Sequence, residues 1–207
     1  MVEIIAENNS LAIQKVYEYI KQGELVSFPT ETVFALACDA TNSLAVEKIY
    51  QAKDRSNDKP LSILAYNLEQ LSEFCEINDR IIKLVKAFCP GPLTIIAKLK
   101  QNNILAKNIN NNSDNIGFRI PNHNFCLDLL AKFKYPIIGT SANISGFPDS
   151  KNAEEIKRSL GDKVKVIING DISEKVQAST VISAVDEIKL LRKGQITFDE
   201  ILKALGE

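Results

Sequence analysis

The chain has 207 residues, 45% of them apolar and 25% charged, which is enough to bury a sizeable core and too apolar for intrinsic disorder. Its 25 Lys and Arg against 26 Asp and Glu leave a formal net charge of -1, so the chain as a whole has no pull toward nucleic acid or anionic membrane, and an anionic ligand must meet a local basic cluster. No apolar run approaches the roughly 20 residues of a membrane span, the start MVEIIAENNS lacks the basic and apolar regions of a signal peptide, and a cytoplasmic location is expected.

From Ser10, the residues Leu11, Ile13, Val16, Tyr17 and Ile20 recur at helical spacing until Gly23, which predicts a helix with that stripe inward. Residues 24–28 read as a strand running into Pro29. A second amphipathic helix over 44–55 turns Leu44, Ile49 and Tyr50 inward and ends on Lys53 and Arg55. The LSILAY segment after Pro60 reads as a buried strand, 68–75 and 79–88 as helices, and the β-branched LTIIAKL segment after Pro90-Gly91-Pro92 as a further strand. Asn dominates 101–115, a composition that favours turns, so this stretch is assigned to a long surface loop. Strand 116–120, helix 124–133, strand 136–139, loop 140–150, helix 153–160 and strand 164–168 then alternate. A loop over 169–178 leads to two short strands, 180–183 and 188–191. The terminal helix begins with capping-box spacing, Thr197 to Glu200, beside an Ile196 and Ile201 staple. The alternation predicts one α/β domain over residues 1–207, built on a twisted, mostly mixed β-sheet flanked by helices.

Cys38, Cys75, Cys89 and Cys126 form no C-x-x-C pair and His123 is the one histidine, so zinc-site spacings are missing and no metal held by protein ligands is expected. The cysteines read as small buried hydrophobes. A reactive pair of Cys126 with His123 is the sharper alternative, but nothing local lowers the thiol pKa. Neither a P-loop nor a G-x-G-x-x-G motif occurs, and Gly139-Thr140-Ser141-Ala142-Asn143 lacks the second glycine of a hydrolase elbow.

Five polar segments stand beside apolar strands: PTET at 29–32, KDR at 53–55, GFRIPNH at 117–123, TSANISG at 140–146, and Arg192-Lys193-Gly194. Loops at strand ends are where open α/β sheets gather ligands. Each segment also has a plainer reading. Lys53 and Arg55 suit a helix C-terminus, Ser141 and Asn143 can tie off a turn, Thr32 can act as a cap, and Arg192 can be a surface charge. Arg119, flanked by Ile116, Phe118 and Ile120, needs an anionic partner, either an internal carboxylate or a ligand. Together Lys53, Arg55, Arg119 and Arg192 point to an anion pocket for a polyphosphate or a carboxylate.

The ordered set PTETVFALACDA, KDR followed by KPLS, CPGPLT, IGFRIPNH, TSANISG, and STV with LLRKG resembles the YrdC-like family of L-threonylcarbamoyladenylate synthases, from about residue 23 to residue 194. The resemblance implies the YrdC-like fold in its short form and a nucleotidyltransferase that makes threonylcarbamoyl-AMP and pyrophosphate from L-threonine, bicarbonate and ATP, with Mg2+ accompanying the ATP. It also implies downstream tRNA threonylcarbamoyl-transfer proteins that modify the adenosine beside the anticodon, a weak contact with the tRNA itself, and no membrane. By the family's pattern, Lys53, Arg55, Ser141 and Asn143 correspond to catalytic positions. Arg55, Lys59, Asn115, Asn143 and Arg192 correspond to ATP contacts, and Thr32, Arg119, Ser141 and Ser179 to threonine contacts. Phe34 and Ala35 stand where Tyr and Gly are usual, and Ser183 where Asp is frequent. The loop at 169–178 is the expected lid. The rival reading is an RNA-binding module of the same fold acting in rRNA or tRNA maturation. It is disfavoured by the slightly acidic charge and the lack of an aromatic stripe.

Overall fold

Successive side chains on a strand point to opposite faces, and that alternation divides this molecule into two cores and one open surface. The computed structural model describes residues 2–172 and 177–207. In chain order the strands are β1 (Glu3–Ala6), β2 (Val26–Phe28), β3 (Ala35–Asp39), β4 (Ser62–Leu64), β5 (Leu93–Lys98), β6 (Asn115–Arg119), β7 (Ile137–Ser141), β8 (Val166–Asn169), β9 (Thr180–Ser183) and β10 (Lys189–Arg192). The helices are α1 (Ala12–Lys21), α2 (Ser43–Lys53), α3 (Leu68–Phe74), α4 (Asp79–Phe88), α5 (Asn124–Phe133), α6 (Ala153–Leu160) and α7 (Phe198–Leu205).

The strands form one sheet in the order β1-β8-β2-β3-β7-β4-β6-β5-β9-β10. It is mixed: β8 runs parallel to β1 and β2, β4 to β6 and β5 to β9, while the other neighbours are antiparallel. The larger core lies on one face, where Leu36, Ile63, Ile95, Phe118, Ile138 and Ile182 meet α2, α3, α4, α6 and α7. On the other face Val26, Phe28, Ala37, Ile137, Val166 and Ile168 meet α1 and α5. These two helices cover the half of that face formed by β1, β8, β2, β3 and β7. The residues that point the same way from β6, β5 and β9 have no helix over them, and this exposed half of the sheet becomes the floor of the site.

The expected alternation, the mixed sheet and most boundaries agree with the structure, and helices 124–133 and 153–160 match it residue for residue. The capping box at Thr197 is present, with Thr197 Oγ1 accepting from the Glu200 amide and Glu200 bonded back to Thr197. Two strands escape the sequence reading. β3 is rich in alanine, a weak strand former, and is held by pairing on both sides with β2 and β7. β1 is a short edge strand paired only with β8. Two inward assignments fail: Leu11 is 60% exposed because α1 starts one residue later, and Leu44 is 72% exposed in the first turn of α2. The Asn-rich stretch is more than a surface loop, since it tucks Leu105, Ala106 and Ile109 into the larger core around a 3-10 turn at Lys107–Ile109. Of the expected lid at 169–178, residues 173–176 lie outside the described residues.

Candidate active site

A cavity of about 640 Å³ sits on the uncovered half-sheet, within the size range of small-molecule sites. One cross-strand row of its floor runs Lys189, Ser183, Ile96, Gly117 and Ser62, each opposite the next in the sheet register. The neighbouring row carries Arg119, Thr94 and Val181. Glycine keeps the floor low: a Cβ at Gly117 would lie 2.6 Å from the Ser62 hydroxyl oxygen, and one at Gly139 would lie 2.5 Å from Leu64 Cγ.

Arg119 points into the cavity because residue 119 faces opposite to Phe118, which is locked in the core. Its guanidinium donates to the hydroxyls of Thr32 and, at 3.3 Å, Thr30, both carried by the loop after β2. Glu31 Oε1 stands 3.9 Å from Arg119 Nη1, close enough to offset charge but too far for a hydrogen bond. Among the described residues the Glu31 carboxylate accepts no hydrogen bond. The arginine's internal anion is therefore present, and it leaves the guanidinium donors largely to hydroxyls and to whatever enters the cavity.

Arg55 forms the wall on the α2 side and is anchored through its Nε to the Lys59 carbonyl at 3.2 Å and through Nη2 to the Pro60 carbonyl at 3.0 Å. Burial lowers its pKa, opposed by Tyr50 and Asp58, yet an arginine keeps its charge. Lys53 is 2% exposed and absent from the cavity lining. Its ammonium donates to the carbonyl of Ser141, to the carbonyl of Asn143 at 2.7 Å and to Asn143 Oδ1 at 3.1 Å. The Ser141 hydroxyl donates to the same Oδ1 at 2.6 Å, and Asn143 Nδ2 donates to the Phe147 carbonyl at 2.6 Å. Lys53 and Asn143 thus shape the turn after β7, which brings Ser141 and Asp149 to the cavity.

The third side is a clamp between β9 and β10. Arg192 donates to the Ser179 carbonyl through Nε at 3.1 Å and Nη2 at 3.0 Å, and through Nη2 to the Ser179 hydroxyl at 3.0 Å. Burial and then the nearby Arg119 charge lower the Arg192 pKa, with Asp149 opposing. Thr94 Oγ1 lies 2.8 Å from Ser179 Oγ. Gly194 lets this turn lie flat, since a Cβ there would come within 2.3 Å of the Thr180 amide nitrogen.

Of the residues singled out in the sequence, Thr32, Arg55, Asn115, Arg119, Ser141, Ser179 and Arg192 line the cavity, while Lys53, Asn143 and Lys59 do not. Lys59 is exposed and contributes its carbonyl to Arg55. The expected fourth cation on the cavity is not Lys53 but Lys189, which lines it and pairs with Glu187 at 3.5 Å. Asp149 and Lys189 were not identified from sequence, since an aspartate in a loop and a lysine at a strand end carry no distinguishing signal, and Thr94 closes the CPGPLT motif without a role having been assigned to it. Ala35 and Ser183 line the cavity, whereas Phe34 is buried in the larger core. Cys126 does not pair with His123. Its thiol donates to the Pro29 carbonyl at 3.3 Å, and burial pushes its pKa up. Among the described residues, no group of three or more His, Cys, Asp or Glu is placed to hold a metal ion.

The Sua5/YciO/YrdC family model, whose description reads "Telomere recombination", matches residues 18–194. The chain is 37% identical over 191 residues to a threonylcarbamoyl-AMP synthase of Pyrococcus abyssi, covering 91% of this chain and 56% of the relative. It is 31% identical over 185 residues to a threonylcarbamoyl-AMP synthase of Vibrio vulnificus, covering 88% of this chain and 98% of the relative. The crystal structure of P. abyssi Sua5 complexed with L-threonine superposes with a TM-score of 0.91 at 34% identity, over 100% of this chain and 61% of that one. This chain therefore spans little more than half the length of the P. abyssi protein. With a family match across nearly all of its sheet, the chain belongs to the Sua5/YciO/YrdC family.

Proposed function

We propose that the protein is an L-threonylcarbamoyladenylate synthase, a nucleotidyltransferase that converts L-threonine, bicarbonate and ATP into threonylcarbamoyl-AMP and pyrophosphate. The observation that carries this reading is the convergence of Arg55, Arg119 and Arg192 on one cavity whose described lining has a single carboxylate, Asp149. A net negative chain concentrates positive charge at one place, which suits a ligand with several anionic groups. The names of the P. abyssi and V. vulnificus relatives support the same reading.

In this reading Arg119, with Thr32 beside it, takes the amino-acid carboxylate, and Arg55 and Arg192 take the phosphates from opposite walls. The amine nitrogen bonds to the bicarbonate carbon with loss of water, and the resulting carbamate oxygen attacks the α-phosphorus as the bond to the β-phosphate breaks. Two anions must meet in that step, so fixed guanidinium groups supply the main assistance by removing repulsion and aligning the reactants. Lys53 and Asn143 act at one remove, holding Ser141 in place. A divalent cation is held mostly by substrate phosphates with one or two carboxylates, and Asp149 fits that requirement. Mg2+ arriving with ATP would neutralise charge on the leaving pyrophosphate. No residue acts as a covalent nucleophile. The product passes to proteins that modify tRNA, and the reaction takes place in the cytoplasm. Among the described residues no helix is long and apolar enough to cross a membrane.

The test is co-substrate dependence. Purified protein releases pyrophosphate only with ATP, L-threonine and bicarbonate together. Equal release without threonine would replace this reading with a nucleotide hydrolase.

A further inference from the structure

The turn that steers Arg55 has no core of its own, and a buried hydroxyl anchors it. Residues 56–60 are all exposed, and surface loops are the more mobile parts of a fold. The Arg55 guanidinium nevertheless takes its bearing from this turn, through Nε to the Lys59 carbonyl at 3.2 Å and through Nη2 to the Pro60 carbonyl at 3.0 Å. Tyr50, on α2, is 5% exposed, packs in the larger core and does not line the cavity. Its hydroxyl donates toward two carbonyls, that of Lys59 at 3.3 Å and that of Ile109 at 3.1 Å. Ile109 is buried in the larger core, and its carbonyl also accepts from the Leu61 amide at 2.9 Å. That amide shares a planar peptide unit with the Pro60 carbonyl. Both carbonyls that hold Arg55 are therefore tied to the core at one point, the Tyr50 hydroxyl and the Ile109 carbonyl beside it. Burial raises the Tyr50 pKa against the pull of Arg55, so the hydroxyl keeps its hydrogen at neutral pH.

We infer that Tyr50 is a positioning residue for ATP, acting through Arg55. The inference rests on the reading of Arg55 as a phosphate ligand. The Nε hydrogen and one Nη2 hydrogen of the guanidinium are spent on the turn, which leaves the Nη1 hydrogens and the second on Nη2 for an anion in the cavity. Aligning that end of the fork in advance removes part of the ordering cost when the ligand arrives. The same hydroxyl links two walls of the cavity. Beyond Ile109 the chain reaches Asn110, whose Nδ2 donates to the Ser113 carbonyl at 2.6 Å and to the Asn115 carbonyl at 2.8 Å, and Ser113 and Asn115 line the cavity. The Arg119 guanidinium is bonded instead to Thr30 and Thr32, so loss of the Tyr50 hydroxyl falls on ATP and spares threonine.

The experiment measures dissociation constants of ATP with Mg2+ and of L-threonine by calorimetry for the full chain, for Tyr50→Phe, for Arg55→Lys and for the double variant. Tyr50→Phe keeps the ring in the core, and both carbonyls keep another donor, so the urea midpoint stays close to that of wild type. ATP affinity in Tyr50→Phe falls about threefold or more, while threonine affinity moves less than about twofold. Arg55→Lys, which lacks the Nε donor, weakens ATP by itself. Adding Tyr50→Phe to it weakens ATP less than about twofold further, because the group through which Tyr50 acts is gone. Unchanged ATP affinity in Tyr50→Phe would overturn the inference, as would a loss of equal size for both ligands or a loss that persists in full beside Arg55→Lys. Unchanged ATP affinity in Arg55→Lys would remove the phosphate role of Arg55 and the inference with it. Wild-type pyrophosphate release is run in parallel. Its absence with threonine and bicarbonate would remove the synthase reading, while the ATP affinities would still decide the role of Tyr50.

Discussion

A guanidinium is tolerated at residue 119 because the backbone sends it away from the apolar core that Phe118 enters, and because Glu31 offsets its charge at 3.9 Å without occupying its donors. A lysine there keeps the charge and loses the planar fork. Arg119→Lys should raise KM for threonine about tenfold or more while KM for ATP changes little, measured by initial-rate pyrophosphate release. An unchanged threonine KM would remove the carboxylate role. Arg119 was legible in the sequence as a charge among apolar strand residues. Thr94 stood in the CPGPLT motif, but its place in the cavity was not legible, since threonine is an ordinary strand former and its partner Ser179 is 85 residues away. Lys53 shows the reverse case. Its charge was legible, but only the fold reveals that the ammonium is taken up by carbonyl oxygens of the turn it supports.

Local chemistry fixes the ends of elements more firmly than their middles. At α7 the reciprocal bonds of Thr197 and Glu200 satisfy the first amides, and Ile201 and Leu205 seal the helix onto the larger core. Thr197→Ala should cost about 1 kcal/mol, read as a lower urea midpoint with an unchanged slope. No change in midpoint would mean that packing alone holds the helix. The strands that escaped prediction are those without a local signature. β3 has two alanines among its five residues and depends on β2 and β7 for its hydrogen bonds. Leu44 shows the limit of periodicity, because at the first turn of α2 the helix has already rotated this side chain to solvent.

For the whole molecule, burial of ionisable groups sets the alkaline limit of stability. Four thiols are free. Burial pushes Cys75 from 9.0 to about 12 and Cys89 from 9.0 to about 11, and raises Cys38 and Cys126 as well. Above pH 9 the unfolded chain releases these protons while the folded chain keeps them, so the folded state binds more protons and stability falls as pH rises. Lys53 works in the opposite sense. Burial, then the nearby Arg55, lowers it from 10.5 to about 8 against the pull of Asp149. Between those values the folded state gives up a proton that the unfolded state retains, and stability rises. Four thiols outweigh one ammonium, so the urea midpoint under reducing conditions should fall as pH increases from about 9 to about 11. The fall should be steeper in Lys53→Met, which lacks the opposing contribution. A level or rising midpoint would contradict this balance.

By itself the sequence determined the α/β class, the position of most helices and strands, the family motifs and the short list of polar segments, because periodicity, caps and turn residues act over a few neighbouring positions. Tertiary structure decided which of those segments meet. Five helices cover one face of the sheet and two cover half of the other, and only this unequal coverage leaves Arg55, Arg119 and Arg192 around a common cavity while Lys53 turns inward. The contacts that build the cavity join strands far apart in sequence through the register of the sheet, and no local pattern encodes that register.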